Sequence, residues 1–162
     1  GLLERCYEPD VMEAFRGDHR YFMIGISNNY HQLDQVREGV RKPDEREAFL
    51  LEQEKRECEI FGRLADLGMR PLVGTDAGCG YTFFDETWLE MELLCSRCAL
   101  TPEKVIHAAT LEGAGALGWG DFLGRLAPGY EADFIAVAQN PIQDIEAFRH
   151  IKHVVCRGKI IE

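Results

Sequence analysis

The sequence predicts an α/β fold with parallel strand pairing, on three observations. Helix and strand signals alternate along most of the 162 residues. Arg20 to Ile26 is a compact apolar run rich in β-formers, which marks a buried strand. A second short strand lies in Met69 to Gly74, beyond a long stretch of helical periodicity.

Taken in order, Pro9-Asp10 starts a short helix, with Glu13 three residues after Asp10 in capping-box spacing. The strand at Arg20 to Ile26 runs into the polar stretch Ser27-Asn28-Asn29-Tyr30-His31, and the charged segment to about Lys42 reads as surface loop or short helix. From Pro43 onward Leu50, Leu51, Cys58, Phe61, Leu64 and Ala65 form an apolar stripe at helical spacing, so a long amphipathic helix is expected, stopped by Gly68. The strand after it breaks at Gly74 and leaves Asp76 just past its C-terminal end. Asp85 to about Ala99 reads as a helix, and Thr101 as N-cap with Pro102 at the first helical position opens another, running to about Gly118.

Then the texture changes. Gly124 to Gly129 reads as a strand and turn, Asp133 to Ala138 as a strand, and Asn140-Pro141 as the start of a helical turn. His153 to Cys156 and Lys159 to Ile161 read as a hairpin about Arg157-Gly158. The boundary is expected near residue 120, between an α/β region (1–120) and a β-rich tail (121–162).

Lys plus Arg number 18 against 28 for Asp plus Glu, a net charge of −10. A nucleic-acid partner, which calls for a basic face, is not expected. No run approaches the roughly 18 apolar residues of a membrane span and no signal peptide is visible, so neither a membrane partner nor secretion is expected. The six cysteines are scattered, which fits free thiols in a cytoplasmic protein.

Gly113 to Gly118 matches G-x-G-x-x-G, with Asp133 twenty residues after Gly113. A dinucleotide fingerprint needs a strand before the glycines and a helix opening after them. Here a helix precedes and a strand follows, so no nucleotide-binding residues are assigned and the glycines are read as packing positions. Cys95 and Cys98 form a C-x-x-C late in a predicted helix, without the further ligands of a zinc site or the helix N-terminus of a redox pair, so buried or semi-buried thiols are the better reading. Of the five histidines none forms H-x-H or H-E-x-x-H. His31 stands out because it follows a buried strand and would share an edge with Asp76 if the two strands were parallel. Its plain alternative is a turn residue.

Gly74-Thr75-Asp76-Ala77-Gly78 is the sharpest local signal. A carboxylate past the end of a parallel strand, between glycines that let a substrate or metal approach the backbone, stands where α/β barrels keep their chemistry. It can bind a hard or borderline cation and exchange a proton with metal-bound water. A turn or capping aspartate is the open alternative.

From about residue 60 to its end the chain resembles the C-terminal part of metal-dependent amidohydrolases, nearest to imidazolonepropionase-like and prolidase-like members. The matching residues are Gly74 to Gly78; Thr101-Pro102-Glu103, Ala108-Ala109-Thr110 and Ala116-Leu117-Gly118; Leu123 to Gly129, Ala132-Asp133-Phe134, Asn140-Pro141 and Asp144-Ile145; and Val155, Gly158, Lys159 and Ile160. The resemblance implies a TIM-type (β/α)8 barrel, with Arg20 to Ile26 as its seventh strand, Met69 to Gly74 as its eighth, and the tail as part of a small β-sandwich. It implies that Asp76 is both a ligand of a divalent metal, usually zinc, and the general base that passes a proton to the leaving nitrogen of an amide-type small-molecule substrate. Asn28, His31 and Tyr81 become candidates on the substrate side.

The family's metal histidines and bridging lysine come from six earlier strands, for which this chain has no room. The expectation is therefore a C-terminal fragment, inactive alone and possessing no metal of its own, that associates with itself or with a missing N-terminal half. The alternatives are a non-catalytic oligomerisation or binding module, and an enzyme assembled from several chains through His31 and Asp76.

Overall fold

Tyr21–Met23 (β1) and Arg70–Leu72 (β2) pair in parallel, with Tyr21 opposite Arg70 and Met23 opposite Leu72. The computed structural model describes residues 8–14, 16, 20–79 and 81–161; Cys6 and His19 lie outside them. The chain has an α/β fold, and its elements follow the predicted order with instructive departures. The first helix, α1 (Pro9–Ala14), already includes Asp10 in its first turn, so Asp10 is not the N-cap that the capping-box spacing implied.

β1 stops earlier than the apolar run implied, because Ile26–Asn29 and His31–Leu33 wind into 3-10 turns ahead of a single helical turn, α2 (Asp34–Arg37). The long helix α3 (Glu45–Asp66) has a full capping box: the Glu47 amide donates to Asp44 at 2.8 Å and the Asp44 amide to Glu47 at 3.0 Å. It ends before Gly68, whose φ of 82° suits a residue without a Cβ. Its predicted stripe delivers Cys58, Phe61 and Leu64 to the interior, and the Phe61 ring meets Phe22 of β1 edge-on at 4.6 Å. Burying each such side chain contributes on the order of 2 kcal/mol.

After β2 comes α4 (Thr87–Ser96), which buries Leu89, Met91, Leu93 and Leu94 in the main core with Ile24 and Ile26. Thr101 caps α5 (Pro102–His107) as expected, accepting from the Lys104 amide. The helix does not run on evenly to Gly118: Ala108–Glu112 widens into a π-turn before α6 (Gly113–Ala116). The Thr110 hydroxyl donates to the Ile106 carbonyl at 2.7 Å, inside that loosened turn. Gly115 lies so close to the Tyr21 hydroxyl that an added Cβ would stand 2.7 Å from it, and Gly118 has φ 75°. The glycines of the G-x-G-x-x-G match thus serve close packing and helix termination.

Residues 124–129 form turns instead of the predicted strand, since Gly124 and Gly129 both take positive φ. A three-stranded antiparallel sheet follows, in the order β3 (Phe134–Val137), β4 (Ile151–Cys156), β5 (Lys159–Ile160). The β4–β5 hairpin turns at Arg157 (φ 49°) and Gly158 (φ 75°), and the Arg157 amide donates to Asp133 Oδ1 at 2.6 Å. Between β3 and β4, the 3-10 turn Ile145–Arg149 packs on α4, with Ile145 in the main core and Arg149 over the Trp88 ring at 4.3 Å. Among the described residues no helix is long and apolar enough to cross a membrane.

Candidate active site

The parallel pairing of β1 and β2 brings the loops after both strands to one edge. Gly25 and Gly74 make that edge tight. A Cβ on Gly74 would stand 1.9 Å from Met23 Sδ, and one on Gly25 would be 3.4 Å from the Gly74 carbonyl oxygen. The loop after β2 is folded on itself: the Ala77 amide donates to Thr75 Oγ1, the Gly78 amide to the Thr82 carbonyl, and the Thr82 amide to the Cys79 carbonyl. Asp76 sits in it with φ 54°, a left-handed conformation that aspartate tolerates better than most side chains.

Asp76 is exposed, and the Cys79 thiol donates to its Oδ2 at 3.6 Å. The negative charge of Asp76 raises the pKa of that thiol. Asn28 is joined to the same loop, its Oδ1 accepting from the Thr82 hydroxyl at 3.3 Å. Tyr81, Phe83 and Phe84 are exposed; the Phe84 ring lies against Gly78, 3.1 Å from where a Cβ would stand, and the Phe83 ring centre is 5.5 Å from that of His31.

His31 lies at this edge but is occupied elsewhere. Nε2 bonds Glu86 Oε2 at 2.7 Å and Nδ1 bonds Asp34 Oδ2 at 3.1 Å. Burial works to lower its pKa, but the hydrogen bonds and charges of Glu86 and Asp34 outweigh that and raise it. The two carboxylates thus favour the protonated form of the ring. The structure joins Asn28 to the Asp76 loop and leaves His31 in a separate cluster with Glu86.

Glu90 escaped the sequence reading. It is fully buried in α4, and its carboxylate accepts the amides of Ile26 (3.1 Å) and Ser27 (2.8 Å), so it holds the turn that carries Asn28. Burial pushes its pKa up to about 7 against the opposing pull of those amides. The signal was present as a lone carboxylate in the apolar run Trp88-Leu89-Glu90-Met91.

The divalent metal implied by the resemblance does not fit this chain alone. Among the described residues no three His, Cys, Asp or Glu side chains converge to hold an ion, whereas a catalytic zinc takes about three protein ligands. Asp76 offers one carboxylate with a protonated thiol beside it.

Comparison with known proteins shows what the chain is similar to. The amidohydrolase family model matches residues 27–161. An imidazolonepropionase from Geobacillus thermodenitrificans is 29% identical over 173 residues, covering 99% of this chain and 40% of the relative. A. niger ochratoxinase superposes with a TM-score of 0.73 at 26% identity, over 96% of this chain and 35% of that one. A Xaa-Pro dipeptidase with bound methionine in its active site superposes with a TM-score of 0.76 at 24% identity, over 96% of this chain and 37% of the other. The chain therefore spans two fifths or less of the length of these relatives. With the family match extending over residues 27–161 and the α/β fold shared, this chain belongs to the amidohydrolase family.

Proposed function

We propose that the chain is the C-terminal part of a metal-dependent hydrolase of carbon–nitrogen bonds in small amide-type substrates, inactive by itself. In this reading β1 and β2 are the seventh and eighth strands of a (β/α)8 barrel, and residues 121–162 belong to a small β-sandwich beside it. Family members are metal-dependent in general, and zinc is the proposed metal. Asp76 supplies one donor, and the other ligands come from outside these 162 residues.

The observation that carries the reading is the setting of Asp76. It is an exposed carboxylate between Gly74 and Gly78, past the C-terminal end of a strand paired in parallel with β1. Barrel enzymes keep their reacting groups at that end. The imidazolonepropionase and ochratoxinase relatives support a hydrolase acting on a small molecule. The exposed side chains of Met23, Phe83 and Phe84 around the same edge support a face that further barrel segments cover.

Metal content by mass spectrometry across a size-exclusion peak, for the wild type and Asp76→Asn, tests the proposal. The expected result is well under one equivalent of metal in both. Stoichiometric zinc in the wild type, lost in Asp76→Asn, would mean that this chain completes a site by itself and would overturn the incomplete-enzyme reading.

A further inference from the structure

The cysteines close in sequence, Cys95 and Cys98, are not the pair that meets. Cys98 lies against Cys58 of α3, 40 positions away, with the two sulfurs 2.7 Å apart. An S–S bond is about 2.05 Å long, so joining them takes a movement of roughly 0.7 Å. Both thiols are free, and each is under one tenth exposed. They lie in the lining of an open groove of about 660 Å³ between α3 and the turn after α4, together with Glu54, Arg97 and Ala99. The groove gives a small oxidant such as peroxide an approach to the pair.

We propose that Cys58 and Cys98 are an oxidative modification site, a dithiol that peroxide closes to a disulfide joining α3 to the end of α4. The two sulfurs divide the work. The Cys98 thiol donates to Cys58, which lowers the Cys58 pKa against the effect of burial and pushes that of Cys98 up. Cys58 is accordingly the thiol that gives up its proton more readily and attacks first, and Cys98 is the resolving thiol.

The Cys58 thiolate attacks one oxygen of hydrogen peroxide and the O–O bond breaks. Hydroxide leaves, takes up the proton released by Cys58 and becomes water, while Cys58 becomes a sulfenic acid. The Cys98 sulfur then attacks the Cys58 sulfur and the S–O bond breaks. A second water leaves carrying the Cys98 proton. Two thiols are oxidised by two electrons, and one peroxide is reduced to two waters. The new bond encloses β2, the Asp76 loop and α4 in one covalent loop, because all three lie between residues 58 and 98. Oxidation thereby restricts the opening of the segment that carries the candidate site.

The test is a peptide map of the full chain. Reduced protein is treated with a small excess of hydrogen peroxide, alkylated with iodoacetamide in denaturant, digested without reductant and read by mass spectrometry. The expected product, in most molecules, is a Cys58–Cys98 cross-linked peptide about 2 Da lighter than its two thiol peptides combined. It survives in Cys95→Ser and is lost in Cys58→Ser and Cys98→Ser, and the wild-type map stands even if a variant folds poorly. A dominant Cys95–Cys98 cross-link, or Cys58 and Cys98 recovered alkylated or as sulfinic acids, would overturn the proposal.

Discussion

Glu90 and Ser27 fasten helix α4 to the turn after β1: the Ser27 amide donates to Glu90 Oε2 at 2.8 Å, while Oε1 takes the Ile26 amide at 3.1 Å. A 3-10 turn leaves its leading amides without partners of its own, and in an apolar interior an unpaired amide costs about 1–3 kcal/mol. One carboxylate satisfies two of them. Through that turn Glu90 also sets Asn28, whose Oδ1 binds Thr82 in the Asp76 loop. A residue outside the candidate site therefore joins the loops that follow both strands.

Glu90 gives the fold a pH dependence of defined sign. Its pKa rises from 4.5 to about 7 on folding, chiefly because burial penalises the charge. The folded protein thus holds this proton more tightly than the unfolded chain does. The associated stability is whole below pH 4.5 and is lost as pH rises through about 7. A shift of this size corresponds to roughly 3 kcal/mol. Urea unfolding at about pH 5 and about pH 8 is expected to show a larger loss in the wild type than in Glu90→Gln, where position 90 no longer titrates and the His31 contribution remains. Equal slopes in the two proteins would show that Glu90 does not carry the effect.

His31 is expected to titrate above 6.5, because the bonds from its ring to Glu86 and Asp34 outweigh burial. Here too the folded pKa is the higher one. The stabilisation is complete below pH 6.5 and disappears as pH climbs through the raised value. Proton NMR of the His31 ring should give a midpoint above that of a histidine peptide, and Glu86→Gln should bring it down. Hydrogen bonds to charged groups contribute about 1.5–3 kcal/mol when buried, so in this half-buried site His31→Gln should cost about 1 kcal/mol near pH 6 and less near pH 8. An unmoved midpoint in Glu86→Gln would mean that the ring is not held as a cation by that carboxylate.

The sequence was most legible where a local rule decides the structure. The stripe from Cys58 to Leu64, the Thr101-Pro102 helix start and the Arg157-Gly158 hairpin each follow from a few adjacent residues, and each formed as expected. Asp76 was equally legible as a position, since a strand followed by G-T-D-A-G places it whatever surrounds it. What depended on distant partners was not legible. The early end of β1 is set by Glu90, which lies 63 positions beyond Ser27. His31 looked like a companion of Asp76 because both follow strands, yet Glu86 and Asp34 compete for its ring. The C-x-x-C spacing drew attention to Cys95, while helix packing delivers Cys98 to Cys58. Gly124 to Gly129 reads as a strand and turn, but positive φ at both Gly124 and Gly129 makes the whole stretch turn.

Gly124 fastens the tail to the helical region, and its substitution should be costly for two separable reasons. Its φ of 90° is left-handed, and a Cβ there would stand 2.8 Å from the Thr110 carbonyl oxygen, 2.9 Å from Ala114 Cβ and 3.0 Å from Leu111 Cα. Two of those three atoms are backbone in or beside the π-turn and cannot swing aside. Gly129 isolates the first reason from the second, because its φ is 91° but nothing lies within 4 Å of an added Cβ. Left-handed backbone alone costs an alanine about 1–2 kcal/mol, and overpacking against fixed atoms adds about 1–3 kcal/mol. Urea unfolding is expected to place Gly129→Ala about 1 kcal/mol below the wild type and Gly124→Ala about 3 kcal/mol below it. Equal costs for the two variants would show that the tail is not held at Gly124 and that backbone conformation alone requires glycine there.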